Sequence, residues 1–339
     1  MNEKIKEFIF DFVEKLFNFS RINLFIDNIF AITFYPAFKN LKYNDFNSKP
    51  IFVKIENTNL CNAKCLYCPH KYLKRKKGFM KKELFKKIVD ECVNWKIKEI
   101  HLCNFGEPLL DKEIVDKIKY IKKFKIKTVI FTNGSLLNKN ISKKIMEAGL
   151  DELWISYDGF SKKHFEKYRY PLKYEVVKKN IENVIRIKEK WNFKTKIILQ
   201  PVFDKTKMNI KYLYNFKKLW LGKVDRINIQ KIHDWHGTIN NNVFFNRLNS
   251  KIFCLDAFQY MTINWDGTVV PCCLDYEAEH IMGDVNKQTL RDIWFGKKFK
   301  RFRKTLIENI NSIEMCKNCK IRLYNSYFPH IFLIFWLRK

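Results

Sequence analysis

The 339-residue sequence opens on no secretory signal pattern, so no leader is expected; it has no uninterrupted apolar stretch that could cross a bilayer, and few acidic residues, 35 Asp and Glu against 65 Lys and Arg. Each shortage excludes something. Without a leader, the ten cysteines are not expected to form the disulfide framework of a secreted protein, and a reducing, cytoplasmic compartment is expected instead. The apolar start, Met1 to Phe19, is broken by Lys, Glu and Asp every few residues, so it reads as an amphipathic helix and not as a membrane span. The acid deficit leaves a formal charge of +30, a field that attracts anionic substrates, acidic lipid surfaces or nucleic acid. The excess is spread along the whole chain and no recognised nucleic-acid motif accompanies it, so nucleic acid is not an expected partner.

An apolar content of 47% is enough for one substantial core and a smaller accessory one. Strand-like runs occur at Ile51 to Glu56, Lys98 to Cys103, Lys127 to Thr132, Glu152 to Tyr157, Thr195 to Pro201 and Asp225 to Gln230. Helical patterns separate them at Lys81 to Trp95, Lys112 to Phe124, Ile141 to Ala148, Glu175 to Trp191 and Ile210 to Trp220. Strands alternating with helices predict parallel pairing through right-handed crossovers, an α/β fold built as a partial (β/α)6 TIM-like barrel. The expected divisions are an N-terminal basic and aromatic extension (1–46), the barrel (47–235), a small C-terminal α+β module (236–325) and an apolar-basic tail (326–339). In such a barrel the chemistry belongs at the C-terminal ends of the strands.

Directly after the first strand come Cys61, Cys65 and Cys68 in a CxxxCxxC loop. Three close thiolates can hold three irons of a 4Fe–4S cluster and leave the fourth open to a ligand. A structural zinc site needs four ligands, and the nearest fourth donor in the sequence is His70. With Tyr67 just before the third cysteine, the loop resembles the signature of the radical S-adenosylmethionine (SAM) superfamily. Asn104-Phe105-Gly106-Glu107-Pro108, after the second strand, is similar to that family's GGEP motif, with Phe in place of the first Gly. The resemblance implies that SAM chelates the open iron and is split to a deoxyadenosyl radical, which takes hydrogen from a substrate. It also implies SAM-binding roles for Tyr67, Gly106, Glu107, Asn133 of Thr132-Asn133-Gly134, Ser156 and Asp158 of the fourth strand's end, Arg169 and Gln200.

A second cysteine group lies beyond the barrel: Cys254, the adjacent pair Cys272 and Cys273, and Cys316-Lys-Asn-Cys319. Asp266-Gly267 between two strand-like runs signals a hairpin, so Cys254, Cys272, Cys316 and Cys319 can converge as a four-thiolate site. On spacing alone a zinc ribbon satisfies this pattern equally well. The order of cysteine, hairpin, cysteine, Gly283-Asp284-Val285, Leu290 to Trp294 and CxxC is similar to the SPASM or twitch extensions of radical SAM enzymes, which implies one auxiliary 4Fe–4S cluster, with zinc as the alternative. Whether Cys272 or Cys273 is the ligand stays open. Cys92 falls in a helix pattern as a core residue, and Cys103 stands at a strand end behind the site.

These features lead to an expected SAM-dependent oxidoreductase whose auxiliary cluster takes up the second electron. The expected substrate is a sugar, aminocyclitol or similar polar, glycan-type small molecule, anionic or lipid-linked in keeping with the charge, and the expected electron donor is a flavodoxin or ferredoxin. A maturase acting on a ribosomal peptide and a non-enzymatic zinc-binding adaptor are the alternatives. The aromatic-basic tail is expected either to pack on the barrel or to touch an anionic membrane peripherally at its inner face.

Overall fold

The protein is described by a computed structural model at residues 48–203, 210–232, 235, 238–239, 254, 256–317 and 319. The expected N-terminal amphipathic helix and the tail from residue 326 lie outside the described residues. The predicted barrel strands form where they are expected: β1 (Phe52–Ile55), β2 (Glu99–Leu102), β3 (Lys127–Thr132), β4 (Glu152–Ile155) and β5 (Lys196–Leu199). After the short β6 (Val202–Phe203), the last barrel strand, β7 (Arg226–Ile227), precedes β8 (Gln230–Lys231), which pairs with β6. The five helices of the pattern span Lys82–Asn94, Ile114–Lys122, Lys139–Glu147, Tyr174–Lys190 and Ile210–Trp220, and a further helix, Lys162–Tyr168, follows β4.

Two faces of each strand do different work. On β1, Val53 and Ile55 are fully buried in the apolar layer shared with Phe85, Ile88, Val89 and Cys92 of the Lys82–Asn94 helix, an i, i+3, i+4, i+7 stripe that fits one helix face. The other face carries rings. Tyr260 and His101 stack on either side of Phe52 at 5.0 Å and 4.3 Å, Phe131 lies 5.8 Å from His101, and Trp154 lies 5.0 Å from Phe131. A single aromatic ladder thus crosses five neighbouring strands and fixes their register.

With β9 (Tyr260–Ile263), β10 (Thr268–Val270) and β11 (Gly283–Asp284) from the C-terminal part, the strand order is β11-β10-β9-β1-β2-β3-β4-β5-β7 in one nine-stranded sheet. The barrel strands pair parallel, as the alternation requires. The C-terminal hairpin is built from β9 and β10, closed by β11. β9 runs parallel to β1, with Phe52 opposite Tyr260 and Ile55 opposite Ile263. The hairpin therefore continues the barrel sheet, and the second cysteine group is carried beside the strand that leads into the first. Among the described residues no helix is long and apolar enough to cross a membrane.

Candidate active site

A cavity of about 300 Å³ opens at the C-terminal ends of the barrel strands. Its walls bring together Cys61, Cys65, Tyr67, Cys68, Gly106, Glu107, Asn133, Ser156, Arg169 and Gln200, all read from the sequence as site residues. The cysteine loop is pinned by its backbone: the Lys64 N–H donates to the Tyr170 carbonyl at 2.6 Å and the Leu66 N–H to the Tyr168 carbonyl at 2.9 Å. Burial pushes the Cys61 and Cys68 thiols up to about 12, and raises Cys65 as well. Such thiols ionise only when a bound cation compensates for desolvation, which is the chemistry of a metal centre. His70 spends one ring nitrogen on the Asn59 carbonyl at 2.8 Å.

Gly106 sits at φ +135°, and a Cβ there would lie 2.3 Å from the Thr58 carbonyl oxygen and 2.9 Å from that of Leu60. Only glycine lets the two loops touch this closely. Phe105, in place of the family's first glycine, costs the loop nothing visible: it is buried, with Trp235 and Tyr276 rings 5.2 Å and 5.7 Å away. Glu107 follows, wholly enclosed. Its carboxylate accepts from the Thr132 hydroxyl (2.6 Å), the Asn133 N–H (2.7 Å) and the Leu109 N–H (3.1 Å). Burial still drives its pKa up to about 7 against those three donors, so a cation brought into the cavity meets a carboxyl ready to ionise. The Asn133 side chain reaches the cysteine loop, donating to Asn62 Oδ1 at 2.8 Å, and Asn62 in turn donates to Ser135 Oγ at 2.9 Å.

Asp158 is the one predicted barrel-mouth residue that does not line the cavity. It is fully buried beneath Arg169, which donates to it from Nε (2.7 Å) and Nη2 (3.0 Å). The Val202 N–H (2.7 Å) and the Tyr67 hydroxyl donate to the same carboxylate. Burial alone would disfavour the Arg169 charge, but the Asp158 carboxylate paired with it holds it firmly protonated. The pair therefore fixes a cation in the cavity wall beside the cysteines, with the Tyr67 ring 5.3 Å from the guanidinium.

The second group divides in two. Burial raises Cys254, and then Asp256, Cys319 and Cys316 push in the same direction. Cys272 is raised by burial and by Cys273, Asp256, Cys254 and Cys316. Cys254, Cys272, Cys316 and Cys319 thus share one neighbourhood, Cys272 and Cys316 buried and Cys254 and Cys319 half-buried, with the Cys319 N–H on the Cys316 carbonyl at 3.1 Å. Cys273 faces elsewhere, its sulfur 3.5 Å from the Tyr260 hydroxyl and beside Lys54, whose ammonium lies 4.1 Å from the centre of the Tyr260 ring. Burial works against the Lys54 charge, yet Lys54 stays protonated among its neighbours Cys273, Cys103 and the Asp256 carboxylate. Among the described residues no three His, Cys, Asp or Glu side chains close to single-ion distance.

Sequence reasoning missed several lining residues. Cys103, placed behind the site from its strand-end position, and Phe131 are both in the wall, as are Gln230, Ile232 and Trp235 from the far side of the barrel. The Trp235 indole donates to the Tyr67 carbonyl at 2.7 Å and closes the mouth over the cysteine loop. No local motif marks these positions.

Comparison with known proteins places this geometry in context. A profile of the radical SAM superfamily matches residues 55–206, and one of an iron–sulfur cluster-binding domain, SPASM, matches residues 254–320. The chain is 25% identical over 315 residues to the tungsten-containing aldehyde ferredoxin oxidoreductase cofactor-modifying protein of Pyrococcus furiosus, covering 80% of this chain and 87% of that one. It is 23% identical to the S-adenosyl-L-methionine-dependent 2-deoxy-scyllo-inosamine dehydrogenase of Niallia circulans, over 79% of this chain and 91% of that one. Among solved structures it resembles Streptococcus suis SuiB bound to precursor peptide SuiA, with a TM-score of 0.63 at 14% identity, over 79% of this chain and 70% of that one.

Proposed function

From the premise that the chain belongs to the radical SAM superfamily, as an enzyme with an iron–sulfur cluster-binding SPASM domain on its C-terminal side, we propose that it oxidises a polar small molecule at a hydroxyl-bearing carbon. The observation that carries this reading is the convergence, in one cavity, of three cysteines with Glu107 and the Asp158-fixed Arg169, together with a second cysteine set gathered around the hairpin that pairs with β1. Cys61, Cys65 and Cys68 would hold the cluster that binds SAM, and Cys254, Cys272, Cys316 and Cys319 an auxiliary one. A four-iron cluster spreads its thiolates over the corners of a cube and so asks for a wider cage than one zinc ion. When bound, these groups supply the electron transfers and hydrogen abstraction that remove two electrons and two hydrogens from a carbinol.

The chain's own residues do the rest by position and charge. Gly106 admits a ligand against bare backbone, and ionised Glu107 balances a ligand amine. Arg169, locked by Asp158, offers a fixed cation to a ligand carboxylate, while Tyr67 and Trp235 shield the cysteine loop from water. The similarity to an aminocyclitol dehydrogenase across 79% of the chain supports a sugar-like or cyclitol-like substrate. The likeness to a peptide-bound enzyme, at 14% identity, is one of fold.

Metal analysis of anaerobically reconstituted protein, with SAM cleavage assayed on the same sample, tests this. About eight irons per chain and deoxyadenosine formation are expected. Replacing Cys61, Cys65 and Cys68 together by Ala should remove about half of that iron and all cleavage, and retained cleavage would refute the assignment. One zinc in place of the auxiliary iron would remove the basis for an oxidation.

A further inference from the structure

Lys54 stands between two sets of charges that already answer one another. Period two along β1 turns Val53 and Ile55 to the helix layer and Phe52 and Lys54 to the inside of the barrel. Toward the N-terminal ends of the strands, Lys127 reaches Glu152 at 2.9 Å and Glu99 at 3.3 Å, and His101 meets Glu99 at 2.6 Å. Toward the C-terminal ends, Glu56 is clasped by Arg75. Lys54 has no such partner: among the described residues no carboxylate stands within ion-pair distance of its ammonium. Its neighbours are the Tyr260 ring at 4.1 Å, the Cys273 sulfur and Cys103. Asp256, the acid of this neighbourhood, accepts the Tyr260 hydroxyl at 2.8 Å. Lys54 is half-buried and so not sealed off, and Cys103 beside it is part of the cavity wall.

We propose that Lys54 anchors an anionic group of the substrate, a carboxylate or a phosphate monoester, between Cys103 of the cavity wall and Cys273 of the hairpin, a role that rests on the reading of a polar small-molecule substrate. Glu107 answers a ligand amine and Arg169 a ligand carboxylate, so Lys54 is a further charge in the barrel interior, available to a second ligand. A charge-assisted hydrogen bond made away from bulk water is stronger than a neutral one, and a neutral polyol would leave the cation without an ionic partner. The Tyr260 ring at 4.1 Å and the Phe52 ring at 5.9 Å flank the ammonium, so a group bound to it is held in one place. From there the rest of the molecule extends past Cys103 toward Cys61, Cys65 and Cys68. A lysine that served only to pack on Tyr260 would not tell an anionic ligand from a neutral one.

The test uses reconstituted protein saturated with SAM and three small polyols as probes: myo-inositol, inositol monophosphate and glucuronate. Calorimetric titration, at salt high enough to screen the surface lysines, should show one or both anions bound about tenfold tighter than the neutral polyol. Which anion is preferred distinguishes a phosphate from a carboxylate. Lys54→Met and Lys54→Gln should each remove the preference, and Lys54→Arg should keep part of it. Lys196→Met, which loses the same charge at an exposed position at the start of β5, should leave it whole. Iron content and the circular dichroism spectrum check that each variant is folded and loaded. Equal binding of all three probes by wild type, binding of none, or a preference that survives in Lys54→Met or Lys54→Gln would overturn the anchor. The oxidation falls separately, on zinc in place of the auxiliary iron, and an anion preference lost with Lys54 would stand in that case too.

Discussion

Arg75 clasps Glu56 through two hydrogen bonds of 2.8 Å and 2.5 Å, at a point where Glu56 is completely buried. The same carboxylate accepts the backbone N–H groups of Phe105 and Trp265, each at 3.2 Å. One anion therefore ties together the end of β1, the loop of Gly106 and Glu107, and the C-terminal hairpin. Arg75 also donates to the Tyr276 carbonyl at 2.6 Å, and the Glu277 carboxylate accepts the N–H groups of Lys74 and Arg75 at 2.8 Å and 3.1 Å. The arm that follows the cysteine loop is bound to the segment that follows Cys272 and Cys273. Burial nonetheless pushes the Glu56 carboxyl upward, with Arg75 the largest influence opposing it.

Arg75→Met should therefore be costly. It leaves a buried carboxylate facing only amide dipoles, and removal of one partner from such a pair typically costs about 3–5 kcal/mol. The double variant Arg75→Met/Glu56→Gln carries no stranded charge and keeps an acceptor for the Phe105 and Trp265 N–H groups. Thermal unfolding should then rank wild type first, the double variant next and Arg75→Met last. If the single variant melts with wild type, the pair is not the joint described here.

Gly106→Ala tests the close approach of the two loops. The added methyl carbon would meet backbone at 2.3 Å in a left-handed conformation, and strain of this kind costs about 1–3 kcal/mol. The loop can relieve it only by moving away from Thr58 and Leu60, which carries Glu107 with it. SAM binding, measured calorimetrically, should weaken at least tenfold while the circular dichroism spectrum is retained. Unchanged affinity would show that the glycine serves the turn and not the ligand.

Much of this was legible in the sequence, for reasons that differ by residue. Val53 and Ile55 alternate with Phe52 and Lys54 because a strand has period two, and Cys61, Cys65 and Cys68 follow at once, so strand and site are both local signals. The parallel pairing of β9 with β1 joins residues some two hundred positions apart, and no short-range pattern encodes that. Asp158 follows β4 as expected, yet side-chain depth is not written in spacing: three protein donors and Tyr67 fill its carboxylate below the wall. Cys103, just past β2, and Trp235, in the turn beyond β8, reach the cavity wall through tertiary packing that no local spacing encodes.

The pH dependence of SAM binding provides a test of Glu107. Burial holds its pKa at about 7 in the ligand-free protein, so the carboxyl is neutral below that value and ionised above it. A cationic ligand prefers the ionised form, and by linkage affinity should rise as pH increases through about 7 and then level off. Glu107→Gln keeps the shape and removes the titration. Its affinity should be about tenfold or more below wild type on the alkaline side, in line with the loss of a hydrogen bond to a charged group, and the gap should narrow toward acid. Comparing the two proteins at each pH cancels the ligand's own ionisation. A constant gap from acid to alkaline pH would mean that Glu107 does not titrate in the cavity.

Cys272 and Cys273 are neighbours in the chain with opposite surroundings, and separate substitutions distinguish them. Cys272 lies with Cys254 and Cys316 in the buried C-terminal set, whereas Cys273 points to the Tyr260 hydroxyl and Lys54. The two share a turn closed by the Asp275 N–H on the Cys272 carbonyl at 3.3 Å, and their sulfurs have different near neighbours, so the C-terminal centre is expected to take Cys272 alone. Cys272→Ser should lower iron by about half in reconstituted protein, because four of the expected eight irons depend on it. Cys273→Ser should keep the full complement, since serine retains a hydroxyl for Tyr260 and leaves the Cys272 side undisturbed. SAM cleavage without substrate should survive both changes, as neither touches the Cys61, Cys65 and Cys68 loop. Loss of iron in Cys273→Ser with full iron in Cys272→Ser would reverse the assignment, and would require the hairpin to turn over between the metal-free and loaded protein.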